Sequence, residues 1–167
     1  GSPAVVTAHA PHDAPAPREA VGVVGDVAAD EIVAEGLYHP FAPRFDDAGR
    51  LWVTCAGTGE IGVVDAGTGR FEAVARVDAY ARALALVGRW AVVGASGARE
   101  RDSFDHYPCG QRAKAQGRRP FHGLLVIDTE TGQVAHHLEL QGNQREVMGI
   151  TVLPGVQRPV LYRPDSD

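Results

Sequence analysis

Residues 48–77 read AGRLWVTCAGTGEIGVVDAGTGRFEAVARV. Three short apolar runs, at 51–53, 61–64 and 71–77, are separated by Gly-Thr-Gly segments. Short β-branched and aromatic runs punctuated by such turns predict consecutive antiparallel strands. Working outward, much of the stretch returns. Gly88-Arg89-Trp90-Ala91-Val92-Val93 echoes Gly49-Arg50-Leu51-Trp52-Val53, and residues 123–133 echo residues 60–70 around a shared Asp-x-x-Thr-Gly turn. The two Gly-Arg starts lie roughly 39 residues apart, close to the repeat of about 40 to 50 expected of four-stranded propeller blades. The expected class is therefore all-β, with about three β-propeller blades per chain.

Composition bounds the rest. The chain has 167 residues, 44% of them hydrophobic, with 20 glycines and 11 prolines. That is enough for one packed core with many turns. The formal charge is −5 and the pI near 5.8, and Lys114 is the only lysine, so the positive charge is almost all arginine. A net acidic chain lacks the basic footprint of a nucleic-acid binder, so none is expected as a partner. No apolar run approaches the roughly 18 residues that span a bilayer, and no membrane partner is expected. Gly1-Ser2 reads as the scar of a cleaved tag, so the natural start is not visible. Cys55 and Cys109 have no disulfide-framework spacing and read as free thiols, which points to a reducing, cytoplasmic location.

Residues 1–18, GSPAVVTAHAPHDAPAPR, carry no sustained period and read as a flexible arm rich in alanine and proline. The domain follows at 19–164. Strands are expected at 20–24 and 31–34, then an extended path through Tyr38-His39-Pro40-Phe41-Ala42-Pro43-Arg44. A second blade opens near residue 81 and is interrupted by an inserted loop at 98–122, far longer than a hairpin loop and carrying Arg99, Arg101, Arg112, Arg118 and Arg119. A third unit is expected to start with a strand at 146–153 and to end with a strand at 160–163. Three blades cannot close a ring, since propellers need about four to eight. Either the chain is a fragment of a longer propeller or a second copy completes a six-bladed ring, and the second is the expectation because strand material stands at both chain ends to seal it.

These residues also carry a family resemblance. Ala42-Pro43-Arg44-Phe45, Gly57-Thr58-Gly59-Glu60, the run from Gly94 to Glu100 with Phe104, and Val152-Leu153-Pro154-Gly155-Val156 resemble an uncharacterised bacterial family of propeller-like conserved hypothetical proteins. The resemblance spans about residues 36–156. It implies a fold and lends no activity. Where the family carries a polar residue before its Pro-Arg and Gly-Thr-Gly-Glu motifs, this chain has Phe41 and Cys55.

Candidate site residues follow from the repeat. The three expected inner strands open with Pro43-Arg44-Phe45, Ala81-Arg82-Ala83 and Arg145-Glu146-Val147. Arg44, Arg82 and Glu146 are thus expected at equivalent places around one mouth. Guanidinium groups suit a small anionic ligand through paired hydrogen bonds, and Glu146 is the candidate acid or base. Arg99 and Glu100, beside Ser96 at the root of the inserted loop, are further ligand-binding candidates. Salt bridging between blades accounts for the same charges without a ligand. Asp65 and Asp128 are assigned to turn chemistry, not to a carboxylate pair. The histidines lack metal-ligand spacing, and neither metal nor cofactor is expected. Two functions are carried forward. One is a noncatalytic binding protein for a small anion or partner. The other is a lyase, hydrolase or cyclising isomerase in which Glu146 moves a proton while Arg44 and Arg82 steady an anion.

Overall fold

The computed structural model describes residues 5–9, 22–97, 105–141 and 146–156. Its strands are β1 (Val5–His9), β2 (Gly22–Asp26), β3 (Glu31–Ala34), β4 (Pro40–Phe45), β5 (Leu51–Cys55), β6 (Glu60–Val64), β7 (Phe71–Arg76), β8 (Tyr80–Val87), β9 (Trp90–Ser96), β10 (Gly123–Asp128) and β11 (Val134–Glu139). One helix, α1 (Pro108–Ala115), lies in the inserted loop. The strands form three antiparallel sheets in the orders β1-β2-β3, β4-β5-β6-β7 and β8-β9-β10-β11, and none closes on itself. The chain is therefore all-β in class, and the three strands expected within residues 48–77 are β5, β6 and β7. Among the described residues no helix is long and apolar enough to cross a membrane.

Two cores join the sheets in sequence. Val24, Ala34 and Leu37 pack with Leu51, Val53, Cys55 and Val64, tying the first sheet to the second. Trp52, Ile61, Ala75 and Val77 pack with Leu84, Ala91, Val93, Leu125 and Ile127, tying the second to the third. Alternation along β5 makes this possible: Leu51, Val53 and Cys55 face one neighbour and Trp52 the other. Both faces of the middle sheet are apolar because both are covered.

The hydrogen-bond ladders expose a repeat deeper than the sequence echo. Asp26, Asp65 and Asp128 each stand at the same turn, their carboxylates accepting the amides of Ala28, of Gly67 and Thr68, and of Glu130. Farther along each hairpin, Leu37 N–H donates to Gly22 O, Val77 N–H to Gly59 O and Leu140 N–H to His122 O. Val24 pairs with Ala34, Ile61 with Ala75 and Leu124 with Leu138, each two residues after those acceptors. A register shift follows immediately in the first two, before Gly25 and before Gly62. Thus β2, β6 and β10 are equivalent, and so are β3, β7 and β11. The first sheet holds the outer three strands of a four-stranded unit and, among the described residues, has no counterpart of β4 or β8.

Two expectations are corrected. Residues 5–9, placed in a flexible arm by their composition, form β1, because Val5 packs on the Val24 core and the strand pairs along β2. Residues 146–153, read as the start of a third inner strand, belong to no strand among the described residues. Their apolar pattern is strand-like, but no neighbouring strand supplies backbone partners. The strand expected at 160–163 lies outside the described residues.

Glycine at the β6–β7 and β10–β11 turns sets how closely sheets approach. Gly69 and Gly132 both have φ of 69°, and a Cβ would stand 3.1 Å from Val33 O at the first and 2.3 Å from Val74 O at the second. Each turn thus presses on the outermost strand of the preceding sheet. Gly69→Ala and Gly132→Ala share a left-handed strain of roughly 1–2 kcal/mol, and the clash with backbone adds far more at Gly132, at 2.3 Å, than at Gly69, at 3.1 Å. In urea denaturation Gly132→Ala is expected to cost at least about 2 kcal/mol more than Gly69→Ala. Equal losses would contradict the close approach.

Candidate functional site

The inner strands β4 and β8 lie against one another, and their starts form the polar end of the interface. The ladders fix which residues correspond. Arg44 lies opposite Trp52, which lies opposite Val63, two residues before Asp65. The residue two before Asp128 is Val126, opposite Val92, which is opposite Ala85. Arg44 therefore corresponds to Ala85 and not to Arg82. Arg82 instead falls on the register shift between Ala81 and Ala83, a β-bulge that turns one side chain out of the strand's alternation. Both inner strands carry one extra residue, between Phe41 and Arg44 and between Ala81 and Ala83, so strand alternation does not fix either arginine's place, and the sequence echo aligned the wrong one.

The bulge brings Arg82 to Glu146. Arg82 Nη1 stands 3.4 Å from Glu146 Oε1, and the guanidinium lies over the Phe41 ring with Cζ 5.0 Å from its centroid. The Arg82 side chain is 20% exposed, and its Nε is buried with no hydrogen-bond partner among the described residues. A buried guanidinium N–H left unpaired is costly and marks a place where an acceptor is missing. The segment carrying Glu146 is held by Val147 N–H donating to Ser96 Oγ at 3.2 Å and by the Val147 side chain lying over Gly94. Among the described residues Arg44 has Pro43 O as its side-chain hydrogen-bond partner, at 2.8 Å, and its side chain is exposed. Of the three expected mouth residues, two meet. Arg99 and Glu100 lie outside the described residues.

The true counterparts at the strand starts are His39 and Tyr80. Ala56 N–H donates to His39 O, while Tyr80 pairs with Ser96, the matching position on β9. His39 Nδ1 and Tyr80 OH share a 2.8 Å hydrogen bond, so equivalent places on adjacent sheets touch directly. His39 has φ of 54° and Ala42 of 50°, left-handed values that non-glycine residues seldom adopt. Together they bend the start of β4 toward its neighbour. Sequence reasoning missed this pair because the repeat holds different residue types at the two places. The Pro-flanked Tyr38-His39-Pro40 segment was the available signal.

The inserted loop covers this end. Tyr107, just before α1, packs with Tyr80, Ala56 and Cys109, its ring 5.0 Å from His39 and 5.3 Å from Tyr80. Cys109 N–H donates to Gly57 O, and Arg112 donates to Thr58 O at 2.7 Å, Val77 O at 3.0 Å and Asp78 Oδ1 at 3.0 Å. Arg112 is thereby a structural clamp for the helix. Burial pushes the phenols of Tyr80 and Tyr107 above their ordinary range, so both are neutral donors near neutral pH.

Other candidates resolve differently. Asp128 is held below the ordinary carboxylate range, first by the hydrogen bond from Arg89 and then by the Glu130 amide. Asp65 is lowered chiefly by the Thr68 backbone amide. Both are turn carboxylates, each at its own hairpin. Among the described residues no group of three His, Cys, Asp or Glu side chains is arranged to hold a metal ion. Two surface clefts, of about 680 Å³ beside Arg118 and Phe121 and about 740 Å³ beside Arg50 and Phe71, lie apart from Arg82.

Cys55 and Cys109 are free and buried. Burial raises their thiols from an ordinary 9.0 to about 12 and about 11, which removes the thiolate a nucleophile needs. Because the folded state keeps these protons longer than the unfolded chain, their contribution to stability is complete below about pH 9 and is lost as pH rises through about 11 and 12. Iodoacetamide at pH 8 is expected to leave both thiols unmodified in the folded protein and to alkylate both in denaturant. Rapid labelling of the folded protein would contradict their burial.

The chain has been compared with known proteins. A solved structure similar to it is that of the computationally designed Ika4 protein, 20% identical over 78% of this chain and 67% of that one, with a TM-score of 0.45. No curated protein matches significantly. The family match covers almost the whole sequence, residues 1–162, and on that basis the chain belongs to the family described as Domain of unknown function (DUF4915).

Proposed function

We propose that this protein is a three-blade segment of a β-propeller that binds a small anionic molecule where β4 and β8 begin. Arg82 is the principal contact, Glu146 its internal counterpart, and the inserted loop forms the cover. The carrying observation is the Arg82 guanidinium, four-fifths buried, with Nε unpaired and Nη1 only loosely held by Glu146 at 3.4 Å. A carboxylate or phosphate satisfies such a fork with two charge-assisted hydrogen bonds, and the surrounding aromatic rings keep water from competing. Arg44, on the exposed side of β4, contributes longer-range attraction. Arg99 and Glu100, outside the described residues, stay ligand-binding candidates on the sequence alone.

A second reading, acid–base catalysis by Glu146, draws on its ion pair with Arg82, which keeps a carboxylate beside the anion's place. It is favoured only if a bound molecule turns over and Glu146→Gln stops that turnover while binding persists.

The test uses inorganic phosphate and acetate as probes, followed by calorimetry and amide NMR shifts. Binding is expected to perturb the amides of Phe41, Ala83 and Val147. Arg82→Ala is expected to weaken it at least about tenfold, as losing one charge-assisted contact does, and Arg44→Ala only about twofold. Unchanged binding in the double variant Arg44→Ala, Arg82→Ala refutes the reading.

A further inference from the structure

The three hairpins are equivalent, but their surroundings are not. Val24 and Ile61 are 0% and 1% exposed because the next sheet covers each. Their counterpart Leu124 is half-buried, and Leu138, the counterpart of Ala34 and Ala75, is 57% exposed. The opposite end of the stack shows the same asymmetry. Thr7 lies opposite Val24 as Thr54 lies opposite Ile61, which makes Val6 the counterpart of Val53. Val53 is 0% exposed and Val6 50%. One end of the stack therefore bares the face that a following sheet covers, and the other end bares the face that a preceding sheet covers.

Strand supply is unequal in the same sense. The first sheet has the outer three strands of a unit, and β1 is an edge where β5 and β9 each carry an inner partner. Residues 146–153, EVMGITVL, follow β11 as β4 follows β3 and β8 follows β7, yet they have no strand partner among the described residues. Val147 rests on Gly94 of the third sheet. Among the described residues, a segment with an inner strand's place in the repeat lacks a sheet, and the first sheet lacks an inner strand.

We infer that residues 146–153 of one copy pair with β1 of a second copy, making a composite four-stranded blade that seats Val6 of one chain against the Leu124 and Leu138 face of the other. The occupant is a second copy because each surface is the counterpart of one already buried between successive sheets of this chain. Repeated twice about a twofold axis, the contact joins two three-sheet chains into a closed ring of six, within the range of about four to eight blades that propellers use. It also pairs the β1 edge, which would otherwise recruit further strands. Because Glu146 begins the donated strand, the ring fixes the segment that faces Arg82. The inference rests on the sheet repeat and not on anion binding.

Sedimentation of the full chain is expected to give twice the 17.7 kDa chain mass, persisting across a hundredfold or so of dilution. Ile150→Pro, which removes a backbone donor and blocks strand pairing, is expected to give a folded monomer with unchanged Trp52 fluorescence. Val6→Asp, which leaves 146–153 intact, is expected to weaken the dimer through the face contact. Hydrogen exchange in the wild-type dimer is expected to protect alternate amides between Val147 and Val152, and to lose that protection in the proline variant. A wild-type monomer, a dimer indifferent to both substitutions, or unprotected amides at 147–152 each overturns the inference. Loss of phosphate binding in an intact dimer bears on the anion site alone.

Discussion

How closely one sheet can lie on the next governs this structure. At the β10–β11 turn the backbone of Gly132 leaves no room for a Cβ, which would sit 2.3 Å from Val74 O. The equivalent turn at Gly69 meets Val33 O of the sheet before. These two contacts, repeated with the same φ of 69°, set the spacing at which Trp52, Ile61 and Leu84 fill one interface and Val24, Leu51 and Val53 the other. Apolar packing supplies the favourable free energy, while the glycine turns set the geometry at which it is collected. Inner strands β4 and β8 are brought together as a consequence, and so are the polar residues at their starts.

From that geometry the candidate site follows with little further input. His39 and Tyr80 touch because they occupy matching places on sheets in contact. Arg82 escapes the core only through a bulge, and its aliphatic stem stays with the apolar residues while its head reaches Phe41 and Glu146. The inserted loop then lays Tyr107 and α1 over the same end, clamped by Arg112. An arginine that is largely buried, aromatic on one side and short of acceptors is an arrangement a packing argument alone does not require.

Much of the architecture was legible in residues 48–77 because strand alternation and Asp-x-x-Thr-Gly turns act locally. The strands β5, β6 and β7 and the repeat around Asp65 and Asp128 are written in residues adjacent in the chain. Register was not. Arg44 and Arg82 aligned convincingly by sequence, yet the ladders match Arg44 to Ala85, three positions beyond Arg82, and that pairing between strands is not written in adjacent residues. Strand β1 was hidden because its partners, β2 and the Val24 core, lie beyond a polar, proline-rich segment that dominates the local composition. The segment at 146–153 shows the converse error: its pattern is that of a strand, but a strand needs a neighbour, and the described residues of this chain provide none. The His39–Tyr80 pair depends on contact between sheets and has no local signature.

Placing the three sheets as successive units of one repeat has a consequence for size and shape. Among the described residues a three-sheet chain leaves apolar faces bare at both ends of the stack, and the pairing proposed above would bury them and bring the two Arg82 regions toward a common axis. Small-angle X-ray scattering of the full chain measures this most directly. Closure of two chains predicts a radius of gyration of about 20 Å, independent of concentration. A value of about 15 Å, that of one compact chain of this length, would contradict the account.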